Sequence, residues 1–142
     1  MNNVAMARSY LKQAEEGIRH ASEALRSGNF PYVMRQCQEA VELSLKASLR
    51  LVGIEPPKWH DVGPVLRQNA NRFPKWFRSV IPRISSISRK LRREREPSMY
   101  GDEETGLPPE QLYTAEDASE ALSFATEVYD LCYKLLSELA KT

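Results

Sequence analysis

The sequence predicts an all-α protein, a single-domain antiparallel bundle of four longer helices with one or two short helices. Along several long stretches the apolar residues recur at alternating steps of three and four, the spacing that one face of an α-helix requires. No stretch alternates apolar and polar residues with the period of two typical of a half-buried β-strand. The chain of 142 residues contains no internal repeat, so we expect residues 1–142 to form one domain.

The first two helices are predicted to pack antiparallel across a short turn. From Val4 onward the apolar residues keep helical spacing until Gly28, which ends the helix because glycine accepts the left-handed conformation of helix ends. Asn29 can cap a second helix, with Pro31 near its start, where the missing N–H costs little. This helix runs to about Val52. Its apolar residues cover more than one stripe, so we expect it to be the most buried helix.

A short helix and a long helix are predicted after a break at Gly53. Asp61 can cap the short helix, which carries three apolar residues at helical spacing. A second helical pattern starts at Pro74 and continues through a strongly basic run. Pro82 lies inside this pattern and predicts either a kink or a short helix that is separate from a longer one starting near residue 82.

Residues 97–115 are predicted to form a long acidic loop rich in proline and glycine. They contain three prolines, two glycines and four acidic residues, without hydrophobic periodicity. Loops of this length are usually functional or disordered. At the end of the loop, Thr114 and Asp117 have the spacing of a capping box, which predicts the start of a last long helix.

The formal net charge of +1 results from segments of opposite charge. Residues 72–96 carry nine Lys or Arg against two Glu, whereas residues 97–142 carry ten acidic residues against two Lys. The near-neutral total therefore does not exclude a nucleic-acid partner, since the basic residues are concentrated in one segment.

Other classes of protein are disfavoured by composition and by missing motifs. No apolar stretch reaches the roughly 18 residues that span a bilayer, and the N-terminus lacks a signal-peptide pattern, which predicts a cytoplasmic protein without membrane contact. The chain has no P-loop, no glycine-rich dinucleotide loop, no zinc-protease motif and no serine nucleophile elbow. Cys37 and Cys132 lie at core-spaced positions, and with His20 and His60 they give no metal-ligand spacing. No metal and no cofactor are predicted.

The end of the basic segment is the candidate phosphate-binding site. On a helix, Arg89, Arg92, Arg93 and Arg95 fall mostly on outer or edge positions. The planar guanidinium matches phosphate oxygens, and a cluster of four favours RNA or a nucleotide without base specificity. The alternative is a solvated face whose arginines pair with the acidic residues downstream.

Several segments, taken in order, carry a likeness to a known family: ARSYLKQAEEGIRHASEAL, GNFPYVMRQCQEAVELSLKASLRLVG, PPKWHDVG, and REPSMYGDEE followed by YTAEDASEAL. On their order and spacing the chain resembles the HEPN (higher eukaryotes and prokaryotes nucleotide-binding) family from about Ala7 to Leu139. The resemblance implies an antiparallel helical bundle that forms a homodimer. It also implies a minimal nucleotidyltransferase partner, encoded beside it as a toxin–antitoxin pair.

The resemblance also implies catalytic positions. Many members are metal-independent endoribonucleases with a motif of Arg, a polar residue, three variable residues and His. In this chain Arg95 falls at the arginine position, Glu96 at the polar position and Tyr100 at the histidine position. Tyrosine, with an ordinary pKa of about 10 against about 6.5 for histidine, is a poor base at neutral pH. Tyr100 could instead donate a hydrogen bond or a proton, or be the residue that a partner nucleotidyltransferase modifies.

Two other features match the family. Glu42 and Lys46 are predicted to form an ion pair four residues apart on the second helix. His60, beside Asp61, is expected to have a structural role in its turn.

The sequence leaves three functions open. The first is an RNA-binding or nucleotide-binding protein that works with a nucleotidyltransferase and has weakened or lost ribonuclease activity. The second is a metal-independent endoribonuclease with a variant Arg95/Tyr100 site. The third is a non-catalytic scaffold that holds a protein partner through the acidic loop.

Overall fold

Four long helices form the body of the computed structural model, which describes residues 2–58 and 61–140. The helices are α1 (Asn3–Ser27), α2 (Phe30–Leu51), α3 (Val62–Gln68), α4 (Lys75–Arg92), α5 (Arg95–Tyr100) and α6 (Ala115–Leu139), with single 3₁₀ turns at Ala70–Arg72 and Pro109–Gln111. No β-strand occurs in the two described ranges, and only the isolated bridge Asp102–Leu107 pairs extended backbone there. The prediction of an all-α bundle with four longer helices and one or two short ones is confirmed, with α3 and α5 as the short helices.

In the turn between α1 and α2, Gly28 ends α1 as predicted, but Asn29 does not cap α2 with its side chain. Gly28 has φ 82°, the left-handed conformation that ends α1. Asn29 occupies the cap position of α2, but its side chain makes no capping hydrogen bond, so that expectation was wrong. Pro31 lies in the first turn of α2, where its fixed φ suits the helix and its missing N–H has no partner to lose.

Helix α2 lies at the centre of the bundle, with more buried side chains than any other described helix. It packs against both α1 and α6. Alanines face it from α1 at a spacing of seven residues, and similar small residues recur on α6, so the helices can approach closely. Large side chains such as Leu45, Leu49 and Phe77 fill the remaining interior.

Helix α4 is continuous from Lys75 to Arg92 and passes through Pro82. The predicted alternative of two separate helices in this region is therefore wrong. Pro82 is exposed, so the carbonyl group that lacks a helical donor because of the proline can bond to water instead. The apolar face of α4, which includes Ile84 and Leu91, is buried against the bundle.

The segment predicted as a long loop contains local structure. It begins within α5 and includes the 3₁₀ turn Pro109–Gln111, so the loop prediction for 97–115 was wrong at both places. Proline in the first turn of a helix is compatible with helical geometry, which explains how α5 includes Pro97. Gly101 has φ 77°, and a Cβ there would overlap the carbonyl oxygen of Leu107. Glycine is required at this close approach.

The last helix starts at the predicted capping box. The backbone N–H of Asp117 donates to Thr114 Oγ1 at 3.1 Å, and the N–H of Thr114 donates to Asp117 Oδ2 at 3.0 Å. The two hydrogen bonds satisfy donors that have no partner within the helix.

Candidate nucleic-acid interface

Four arginines are concentrated where α4 ends and α5 begins. We call Arg89, Arg92, Arg93 and Arg95 the basic end. Arg89 and Arg93 are exposed, one helical turn apart, and neither forms an ion pair or hydrogen bond through its side chain within residues 2–58 and 61–140. Cations at this position also interact favourably with the negative end of the α4 dipole. These two guanidinium groups can therefore bind an anion without first breaking a contact to another described residue.

The other two arginines of the basic end are hydrogen-bonded to α2. Arg92 Nη1 donates to Glu42 Oε1 at 3.0 Å, and Arg95 Nη1 donates to Gln38 Oε1 at 3.0 Å. Gln38 is buried, with 3% of its surface exposed, and its amide nitrogen lies 3.5 Å from Glu42 Oε1. Gln38 and Glu42 are one turn apart on α2, so one helix orients both arginines.

The predicted ion pair between Glu42 and Lys46 is confirmed, with 3.6 Å between Oε2 and Nζ. Glu42 thus has two cations as neighbours, Lys46 and Arg92, for a single negative charge. The negative charge of Glu42 is therefore shared between two cations at the border of α2 and the basic end.

Helix α5 separates the three residues at the catalytic motif positions. Glu96 and Tyr100 are one turn apart on the same face, and both are exposed, Tyr100 at 62%. Arg95 is about 140° from Tyr100 around the helix axis, and its side chain is hydrogen-bonded to Gln38 on α2. Within one chain the structure therefore brings Glu96 and Tyr100 to one surface and holds Arg95 on another.

Two acidic residues of α6 form ion pairs with basic residues of α4. Arg83 Nη2 donates to Glu127 Oε1 at 2.8 Å, and Lys90 Nζ lies 3.2 Å from Glu120 Oε1. The hydrogen bond from Arg83 lowers the pKa of Glu127 below its ordinary value. The alternative of a paired, solvated face therefore describes Arg83 and Lys90, whereas Arg89 and Arg93 are left without such partners among the described residues.

A carboxylate of the acidic loop stabilises a turn within the loop. Asp102 Oδ1 accepts from the backbone N–H groups of Glu104 and Thr105 at 3.1 and 3.3 Å. The Asp102 N–H donates to the Leu107 carbonyl oxygen at 2.9 Å, which closes the turn that follows Gly101. These bonds stabilise a local fold of the loop next to Tyr100.

The two cysteines and the described histidine lie in environments that indicate a structural role. Cys37 and Cys132 are both buried, and burial raises the pKa of the Cys37 thiol to about 12. His20 Nε2 lies 3.4 Å from Glu16 on α1. His60 lies outside the described residues. Asp61 caps α3 by accepting from the Gly63 N–H at 3.2 Å. No three His, Cys, Asp or Glu in the described part of the chain are grouped to hold a metal ion.

Gln38 was not among the residues that the sequence predicted for the site. The sequence feature that could have identified Gln38 is a polar side chain at a core-spaced position of α2, four residues before Glu42. That spacing alone does not identify Arg95 as its partner, since the two residues are 57 positions apart in the chain.

The chain matches a known family over most of its length. The family model of the HEPN domain matches residues 7–136 of the chain. The chain belongs to the HEPN family. The curated relative "Putative toxin MJ1304" of Methanocaldococcus jannaschii is 30% identical to it, over 96% of this chain and 91% of that protein.

Two solved structures share the HEPN fold of this chain. TT1696 from Thermus thermophilus superposes with a TM-score of 0.73 at 24% identity, covering 94% of this chain and 98% of its own. ST0689, described as an archaeal HEPN homologue, has a TM-score of 0.70 at 23% identity, with 92% and 97% covered. At these identities the likeness shows the fold. Among the described helices, none is long and apolar enough to cross a membrane.

Proposed function

We propose that this HEPN protein binds RNA, or the phosphates of a nucleotide, through the basic end. We also propose that it is the toxin-type member of a pair with a minimal nucleotidyltransferase, acting in the cytoplasm. The observation that carries the first part is that Arg89 and Arg93 are exposed without protein partners among the described residues. The toxin name of the curated relative supports the second part.

The geometry of the basic end suits a phosphate backbone. Arg92 and Arg95 are oriented by hydrogen bonds to α2, so less conformational entropy is lost when they bind an anion. Arg89 and Arg93 add charge without such restraint. Guanidinium groups bind phosphate oxygens in pairs of hydrogen bonds, and these contacts carry no base specificity.

The salt dependence of RNA binding tests this proposal. Fluorescence anisotropy with a labelled single-stranded RNA should give an affinity that falls steeply with salt, with a slope of about −0.7 for each phosphate neutralised. The double variant Arg89→Ala/Arg93→Ala should weaken binding. It should also make the salt slope shallower by the equivalent of roughly one to two phosphate contacts. A salt-independent affinity of the wild type would refute the proposal.

The matched control is Arg8→Ala/Arg26→Ala. Both arginines are exposed on α1, neither forms an ion pair with a described residue, and the variant loses the same net charge. Its RNA affinity should stay close to that of the wild type. An equal loss in both double variants would mean that total charge, and not the basic end, determines binding.

A variant endoribonuclease is the second candidate function. It is favoured by the exposure of Tyr100 at the end of the same short helix that carries Arg95 and Glu96. Because one chain places Arg95 and Tyr100 on different sides of α5, this function needs a second copy of the chain or a rearranged α5. We propose a homodimer, which sedimentation analysis would detect.

RNA cleavage in chelator separates the two candidates. The endoribonuclease predicts fragments with cyclic phosphate ends that disappear in Arg95→Ala and in Tyr100→Phe. Intact RNA with binding retained supports the binding protein. Absence of RNA binding even at low salt supports the scaffold. Mass spectrometry of Tyr100 after incubation with the partner enzyme and a nucleotide tests its modification.

A further inference from the structure

A small cavity of about 240 Å³ lies between the last turns of α4, the start of α6 and α2. Its apolar wall includes Leu91 and the ring of Phe124. Its polar lining combines the carboxylates of Glu94, Asp117 and Glu120 with Tyr113 and Lys90. The cavity is smaller than the several hundred Å³ typical of sites for whole drug-sized ligands. It suits a single planar ring system.

The polar end of the cavity is rich in hydrogen-bond acceptors. Tyr113, only 9% exposed, donates its hydroxyl proton to Glu94 Oε1 at 2.9 Å. Burial, reinforced by the Glu94 and Asp117 carboxylates, raises the pKa of Tyr113, so the hydroxyl stays a donor to Glu94. Tyr113 bonds to Oε1 of Glu94, and Oε2 has no hydrogen bond to a described residue. A bound group that donates N–H or O–H hydrogens can therefore pair with this carboxylate.

We propose that this cavity takes a guanine base of bound RNA, with the Glu94 carboxylate accepting from N1–H and from the 2-amino group. This inference rests on the proposed RNA binding and assigns it a base preference. Guanine alone among the four bases has two adjacent N–H donors on its Watson–Crick edge. Adenine and cytosine place a ring nitrogen acceptor beside the amino group, and uracil has one N–H between two carbonyl groups.

The cavity wall offers a surface for the face of the base. The Phe124 ring provides a stacking surface, and unpaired bases in RNA are commonly held in this way. The Arg83 guanidinium lies 5.9 Å from the centre of that ring, and Lys90 Nζ lies 5.1 Å from it. The side chain of Lys90 is 58% exposed at the rim. It can move aside without breaking a buried contact.

The cavity and the basic end are adjacent at the C-terminal end of α4. Glu94 at the cavity directly follows Arg93 of the basic end in the chain. One RNA strand could therefore place a base in the cavity and a phosphate on the exposed arginines. Phosphate contacts would give affinity, and the base contact would give sequence preference.

Oligonucleotide binding tests the preference. The probes are an all-adenine RNA pentamer and the same pentamer with a central guanine or a central inosine, which lacks the 2-amino group. Wild type should bind the guanine pentamer roughly five- to a hundredfold more tightly than the adenine pentamer, with inosine in between. Glu94→Gln should lose most of this ratio, since an amide presents a donor as well as an acceptor.

The control variants separate the cavity from the basic end. Glu103→Gln removes the same charge from the exposed acidic loop and should keep the ratio. Arg89→Ala/Arg93→Ala should weaken all pentamers equally and also keep it. Phe124→Leu should weaken the guanine pentamer more than the adenine pentamer. Thermal unfolding of each variant verifies that it is folded.

Every outcome decides a separate point. Binding of all pentamers with equal affinity overturns the guanine cavity and leaves RNA binding intact. If no pentamer binds at low salt, RNA binding is wrong, and free guanosine, which carries no phosphate, then tests the cavity by NMR. Shifts of signals from residues at the cavity on adding guanosine, but not adenosine, would retain the base site. Unchanged spectra would overturn it.

Discussion

The role of Gln38 as the residue that orients Arg95 can be tested by replacing Gln38 with Met. Methionine has a similar length and is apolar, so it fills the buried space without leaving an unpaired polar group. Arg95 is exposed and can bond to water once its acceptor at 3.0 Å is lost.

The burial of Gln38 and the exposure of Arg95 determine how much Gln38→Met should change the free energy of unfolding and the RNA affinity. A hydrogen bond to a charged group contributes about 1.5 to 3 kcal/mol, but most of this is offset when the charged partner returns to water and the buried amide is removed. We expect the free energy of unfolding to change by less than about 1 kcal/mol. Ordering the released Arg95 side chain on RNA costs about 0.5 to 1.5 kcal/mol, so the RNA affinity should fall roughly two- to tenfold.

Two measurements on the same variant check this reasoning. Urea denaturation gives the free energy of unfolding, and RNA titration at fixed low salt gives the affinity. Gln36→Met is the matched control, since Gln36 lies on the same helix but contacts the Gly17 region of α1. An unchanged RNA affinity in Gln38→Met, or an equal loss in Gln36→Met, would refute the orienting role.

Three further predictions concern single sites. Ala in place of Gly101 should lower the free energy of unfolding more than Ala in place of Gly106, because both have positive φ but only the first would meet a backbone carbonyl. Equal losses in urea would contradict this. In the folded protein Cys37 and Cys132 should resist a disulfide reagent at about pH 8, since burial raises the pKa of both thiols. Labelling as fast as in urea would be the contrary result. Glu127→Gln should lower the thermal midpoint near pH 7 by an amount equivalent to less than about 1 kcal/mol. This difference should shrink as pH falls below 4.5, because the lowered pKa gives stability that protonation removes. A difference that persists in acid would contradict it.

The helices and several of their ends were predictable because their causes are local in the chain. The three-and-four spacing of apolar residues defines a buried face wherever it occurs. Gly28 ends α1, and Thr114 with Asp117 starts α6, through contacts within four residues. The errors at Asn29 and in 97–115 were also local, since proline and capping residues are compatible with more than one backbone conformation.

The arginines of the basic end were identified from residue type and spacing, and the family resemblance marked Arg95, Glu96 and Tyr100. Which arginines have no partner among the described residues depended on helix packing. Arg83 reaches Glu127 across 44 residues, whereas Arg95 reaches Gln38 across 57. Periodicity places a side chain on a face of its own helix, but the residue opposite it is set by how two helices pack. For this reason the charge pattern indicated a basic segment, and the packing of α2 and α6 against α4 divided it into a neutralised side and an open one.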